Sequence, residues 1–205
     1  MLQALLLFDE EDKKRPKTII TETYQISKEL QSIGVGHNIY PVDPVDNVAN
    51  SLHTKKINES IKTIQLKYQC AHYDLASIGP KYVGKYEEVK KRNSKLHWHE
   101  APETRLFLHG GGAFGIYIAP WLGICLVTSG GFISIPEKTY HWFDYGKIDQ
   151  AHPPEYDVIR FWKNIGSIES SMLPHPAFDI NISGNWTQAF PTYDVLLKSL
   201  TPNDS

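Results

Sequence analysis

His97-Trp98-His99-Glu100-Ala101-Pro102-Glu103 is the stretch on which the fold turns. Two imidazoles and a carboxylate occupy its odd positions, so an extended chain would project all three side chains to one face. A further histidine, His141, stands in Ile133-Ser134-Ile135-Pro136-Glu137-Lys138-Thr139-Tyr140-His141-Trp142-Phe143. That segment reads as strand, turn and strand, which can carry His141 back across a barrel to the first three groups. Three imidazoles and a carboxylate leave two octahedral positions open and suit Fe²⁺, Ni²⁺, Co²⁺ or Mn²⁺ acting on a small chelating substrate. A His-x-His pair alone is usually a solvated strand face. Glu103 in phase and His141 behind a proline turn lift this pattern above a chance pair.

Working outward, Gly and Pro punctuate short apolar and aromatic runs from Leu96 onward, at intervals expected of an all-β barrel or sandwich. The expected strands are Glu103 to Leu108, Ala113 to Ile118, Gly123 to Thr128, Phe132 to Ile135, His141 to Asp144 and Tyr156 to Trp162. Upstream, Met1 to Phe8 reads as a first strand, since it is short, has no basic flank and runs into Asp9-Glu10-Glu11-Asp12. Residues 18–34 predict a helix capped by Thr21 or Thr23 and stopped by Gly34 and Gly36. A short strand is expected from His37 to Val42, a longer helix over residues 47–69, and a charged, partly helical stretch from Tyr82 to Lys95. The tail from about Ser167 is expected to wrap the barrel or remain partly mobile.

The chain has 205 residues, enough for one core of ordinary size. It divides into an N-terminal strand and helices (1–95), a metal-binding core (96–165) and a tail (166–205), all within one domain. With 41% apolar and 21% charged residues, the composition excludes disordered and fibrous classes. A net charge of -2 with mixed signs offers no basic stripe for nucleic acid. Cys70 and Cys125 are too few for a disulfide framework and point to a reducing compartment, where each acts as a small buried hydrophobe. The run Ile116 to Val127 is broken by Pro120 and Gly123 and is too short to span a bilayer. A cytoplasmic protein that meets neither membrane nor nucleic acid is expected.

The pattern His97-x-His99-x-x-x-Glu103, then Gly-containing strands, then Pro136 and His141, resembles the two motifs of the cupins, which are small double-stranded β-barrels. Within cupins the chain is similar to acireductone dioxygenase of methionine salvage. Glu103-Thr104-Arg105-Leu106-Phe107, Ile133-Ser134-Ile135-Pro136, His141-Trp142-Phe143-Asp144 and Ile159-Arg160-Phe161 carry the likeness, as do Glu22 to Gly34 and Tyr73-Asp74-Leu75-Ala76-Ser77 upstream. The resemblance implies a mainly β protein with some α: a cupin double-stranded β-barrel, or jelly roll, with N-terminal helices packed outside. It implies a monomeric enzyme that cleaves an acireductone with O₂ to a 2-keto acid and formate. It also implies one Fe²⁺ or Ni²⁺ per chain, held by His97, His99, Glu103 and His141. Trp98 between the histidines, Thr128-Ser129-Gly130-Gly131 where a Gly-Asp turn is common, and a loop-like insertion at Asp149 to Glu155 depart from the family pattern. A different metal cupin, or one that binds a ligand without turnover, is the alternative.

Chemistry extends the site beyond the ligands. Arg105 is in phase with Glu103, so its guanidinium is placed to stabilise an enediolate oxygen. Arg160 lies in the apolar run Val158 to Trp162, where a charge needs an anion, either substrate or a carboxylate. Both are assigned catalytic roles. Phe143, of the same parity as His141, is expected to wall the substrate tail, with Trp142 beside it. His37, His53, His72, His152 and His175 have no such partners and default to surface or loop positions, and His109 is expected at the far end of its strand.

Overall fold

In the computed structural model of the chain, residues 3–42, 54–78, 90, 91, 93–146, 156–163 and 190–200 are described. Their strands are β1 (Ala4–Leu7), β2 (Thr18–Ile20), β3 (Gly36–Ile39), β4 (His72–Ile78), β5 (Glu103–His109), β6 (Gly111–Ile118), β7 (Trp121–Thr128), β8 (Gly131–Ile135), β9 (Tyr140–Asp144) and β10 (Tyr156–Trp162). Helices α1 (Thr23–Ser32), α2 (Lys55–Tyr68) and α3 (Tyr193–Leu200) complete the set. The strands form two antiparallel sheets of order β2-β1-β7-β6-β9 and β3-β8-β5-β10-β4.

The period-two alternation of side chains assigns each strand residue to a layer. Leu5, Phe107, Phe114, Ile116, Val127, Ile133, Phe143 and Val158 face inward and share one buried cluster between the sheets. Their neighbours Leu6, Ile124, Leu126 and Trp142 point out of the first sheet, where Phe190 and, from α3, Leu196 cover them. On the second sheet, Leu106, Phe132, Ile159 and Phe161 point outward under Ile57, Ile61 and Ile64 of α2. Ile57 and Ile64 are fully buried, and each such side chain contributes roughly 1.5–3 kcal/mol of apolar transfer. Helices therefore pack outside a β core, as expected.

Several details correct the sequence reading. The sheets keep separate ladders among the described residues, giving a jelly-roll-like sandwich and not a closed barrel. Thr18–Ile20 is a strand, because its register with Leu5–Leu7 completes an edge of the first sheet. Helix α1 consequently starts later, with Glu22 at the N-cap and no side-chain cap bond, so neither Thr21 nor Thr23 caps it. Helix α2 is N-capped by Thr54, whose Oγ1 accepts from Ile57 N at 3.4 Å. Tyr73 to Ser77, for which the sequence predicts no element, lies on strand β4, paired with β10. Cys70 and Cys125 are free and buried. The start of the 47–69 helix before Thr54, most of Tyr82 to Lys95, the loop Asp149 to Glu155 and tail residues 166–189 lie outside the described residues. No helix among the described residues is long and apolar enough to cross a membrane.

Candidate metal centre

Two chain segments cross between the sheets side by side at one end of the sandwich, and they bring the four expected donors together. The first runs from Leu96, which packs on the outer cluster of the first sheet, to Glu103 at the start of β5 in the second. It is not one extended strand: His97 forms a single antiparallel bridge with His141, and regular pairing resumes only at Glu103. The second leaves β8 at Ile135, turns through Pro136 to Thr139, and enters β9 of the first sheet at Tyr140. Lys138 adopts a left-handed conformation with φ 60° and donates its N–H to His99 O at 2.8 Å, tying the crossings together. Convergence thus comes from paired crossovers, not from a shared strand face.

The donor atoms of His97, His99, Glu103 and His141 all lie within 4.8 Å of one another. The imidazole centroids are 4.5 Å apart for His97 and His141, 5.0 Å for His97 and His99, and 5.2 Å for His99 and His141. Glu103 Oε2 is the hub, 3.0 Å from His99 Nε2 and 3.2 Å from His141 Nε2.

Hydrogen bonding fixes which ring nitrogens face inward. His97 Nδ1 lies 2.6 Å from Lys95 O, and His141 Nδ1 lies 2.8 Å from Thr139 O. A carbonyl only accepts, so each Nδ1 carries the proton and donates, leaving the Nε2 lone pair for the cluster. Burial, reinforced by His141, pushes His97 down to about 3, so this ring is neutral at physiological pH. Burial alone would raise Glu103, but the Arg105 guanidinium and the surrounding His141 and His99 rings outweigh it and hold this carboxyl well below its usual range. Three imidazole nitrogens and a carboxylate oxygen drawn within 4.8 Å of one another make a donor set of the kind that holds a cation. The set fits a divalent transition ion, with three nitrogens and one oxygen and a backbone carbonyl behind two of the rings.

The surroundings place the other expected residues. Arg105 Nη2 is 3.5 Å from Glu103 Oε1, and its Nη1 donates to Thr104 O at 3.0 Å. Arg160 shares the inner face, in register with Arg105, and its anion is Asp74, bound by Nε at 2.8 Å and Nη2 at 2.5 Å. Phe143 is buried two residues beyond His141 on the same face, its ring 4.4 Å from Phe114 and 5.9 Å from Phe107. Trp142 is the exception. Its indole lies on the outer face of β9, over Gly115 and 5.0 Å from the Phe190 ring, where a Cβ on residue 115 would collide with it. Strand alternation puts it on the opposite side from the donors, where it packs on the outer cluster.

His109 ends β5, exposed, as expected, and His72 is exposed on β4. His37 corrects the reading: it is buried, with Nδ1 at 2.9 Å from Ser27 Oγ and Nε2 at 2.8 Å from Gln3 Oε1. Asp74 was missed as a site residue, although a lone carboxylate in the alternating run Tyr73 to Ser77 was the available signal.

Comparison with known proteins adds three findings. The ARD/ARD' family model matches residues 6–163. An acireductone dioxygenase of Aquifex aeolicus is 30% identical over 145 residues, covering 70% of this chain and 76% of that protein, and one of Hahella chejuensis is 23% identical over 164 residues, covering 80% and 85%. Among solved structures, an acireductone dioxygenase from Bacillus anthracis with a cadmium ion in its active centre superposes with a TM-score of 0.62 at 20% identity, covering 80% of this chain and 94% of that one. At that identity the likeness establishes the fold, while the family model, spanning well over half of the sequence, establishes descent: the chain belongs to the ARD/ARD' family.

Proposed function

We propose that the chain is an acireductone dioxygenase, which cleaves 1,2-dihydroxy-3-keto-5-methylthiopentene with O₂ to a 2-keto acid and formate in methionine salvage. The observation that carries this reading is the convergence of His97, His99, Glu103 and His141 to within 4.8 Å inside a chain of this family. These four residues would hold one Fe²⁺, or Ni²⁺ in its place. Such an ion, when bound, would supply Lewis acidity toward a chelating enediolate and its reaction with O₂.

The protein's own groups do the rest. His97 and His141 hold their Nδ1 protons on backbone carbonyls, so each ring turns Nε2 toward the cluster. Glu103 remains ionised because Arg105 sits beside it. Arg105 keeps N–H groups beyond those used on Thr104 and Glu103 and offers them to the negative charge of the enediolate. Phe143, with Phe114 and Ile116 buried around it, forms the apolar wall that excludes water from the reacting end. Arg160 supports the site through its pairing with Asp74. The small-molecule substrate, the mixed surface charge and the two buried thiols fit a monomeric cytoplasmic enzyme.

The test is O₂ uptake by iron-loaded protein supplied with freshly generated acireductone, with formate measured at the end. Stoichiometric O₂ consumption and formate release are expected. A fully metal-loaded protein that leaves the acireductone untouched would contradict the reading.

A further inference from the structure

Asp74 lies on β4, outside both metal-binding segments, yet its carboxylate is tied to the site by three contacts. It accepts from Arg160 Nε at 2.8 Å and Nη2 at 2.5 Å, and Trp162 Nε1 donates to its Oδ1 at 3.4 Å. Strand register places Arg105, Arg160 and Asp74 in one row across β5, β10 and β4, because Arg160 pairs with Arg105 on one side and with Asp74 on the other. The Trp162 indole lies beside both guanidiniums, 5.3 Å from Arg105 and 5.4 Å from Arg160.

Glu103, two residues before Arg105 on β5, stands beside that row, so the charges run negative, positive, positive, negative from Glu103 through Arg105 and Arg160 to Asp74. Like charges facing each other on adjacent strands repel, so the central pair needs a carboxylate at each end. The two ends differ in geometry. Arg160 gives the Nε and Nη2 edge of its fork to both oxygens of Asp74, a bidentate match that fixes its plane. Arg105 touches Glu103 through a single longer contact of 3.5 Å and keeps donors for another anion.

We propose that Asp74 is a positioning residue of this site: it locks Arg160 into a bidentate pair and so leaves Arg105 as the one guanidinium that meets the substrate's oxyanion. This rests on the acireductone dioxygenase reading. The Trp162 ring, within cation–π reach of both guanidiniums, adds an attraction common to the two cations. Without the Asp74 carboxylate, Arg160 is an uncompensated cation facing Arg105, and it competes for Glu103 and for the bound enediolate.

The experiment compares wild type, Asp74→Asn, Asp74→Glu, Arg160→Met and the double variant Asp74→Asn/Arg160→Met, all iron-loaded. Each is assayed for metal content, urea unfolding, anaerobic acireductone binding by ultraviolet absorbance, and kcat and KM. Asp74→Asn is expected to retain its metal and lose about tenfold or more in kcat with KM changed less than about threefold. Asp74→Glu should restore most of the loss, and the double variant should recover part of it, since the unpaired cation is gone. The anaerobic absorbance of the bound enediolate should shift in Asp74→Asn alone. The inference is overturned if wild type turns over and Asp74→Asn matches it in kcat and absorbance, if Asp74→Asn differs only in urea midpoint, or if the double variant is worse than either single. If wild type itself does not turn over acireductone, the functional reading fails first, and the absorbance comparison still decides the role of Asp74.

Discussion

His97 and His141 donate their backbone N–H groups to each other's carbonyl oxygens, both at 2.8 Å, and each ring donates Nδ1–H to the carbonyl two residues before it. One local device, used twice, aims two Nε2 lone pairs at the same point. The rings are set by backbone, so a substitution at either position removes a ligand without removing the scaffold that aims the other.

His141→Ala and Glu103→Ala are therefore expected to fold and to lose metal affinity by more than the roughly 10–100-fold typical of losing an outer partner. His109→Ala should keep full metal, because His109 ends β5 as an exposed residue outside the cluster. Metal analysis after exhaustive dialysis separates the three, and full occupancy in Glu103→Ala would contradict the assignment.

Arg105→Leu should retain its metal yet turn over slowly. Losing one charge-assisted hydrogen bond costs roughly 1.5–3 kcal/mol, or about ten- to 150-fold in kcat/KM. Steady-state kinetics on metal-matched samples give the answer, and an unchanged kcat/KM would remove Arg105 from the chemistry.

Adjacent residues on β9 should behave differently. Trp142→Phe loses contact with Phe190 on the outer cluster and should lower stability by about 1–3 kcal/mol with KM unchanged. Phe143→Leu trims the inner wall and should raise KM as well. Urea unfolding and kinetics on both variants test this, and a KM effect confined to Trp142→Phe would reverse the face assignment.

Burial pushes the His37 ring down to about 4 from an ordinary value of 6.5. The unfolded chain then binds a proton that the folded chain refuses, so this residue's contribution is present above pH 6.5 and is lost as pH falls toward 4. Between pH 6.5 and 5 the loss amounts to about 2 kcal/mol. Urea unfolding at both pH values should show a smaller acid loss in His37→Gln than in wild type, and parallel curves would contradict a buried neutral ring.

The strands from β5 to β10 were legible because Gly and Pro bound short apolar and aromatic runs, and the four donors were legible because their types and order are unusual together. Less was legible where a partner distant in sequence decides. Thr18–Ile20 looks like the start of a helix until β1 is beside it. His37 looks like an orphan because Gln3 and Ser27 lie in other elements. The carboxylate that Arg160 required was left open between substrate and protein, since only the β4–β10 register identifies it as Asp74. Separate sheets were hidden by β8 and β9, which read as strand, turn and strand of one barrel but enter different ladders.

The most direct test of a dioxygenase built on His97, His99, Glu103 and His141 is turnover of acireductone by iron-loaded protein under ¹⁸O₂, with mass spectrometry of both products. One labelled oxygen in formate and one in the carboxylate of the 2-keto acid are expected, with neither product formed by His141→Ala. Products without label, or label in only one of them, would contradict the account.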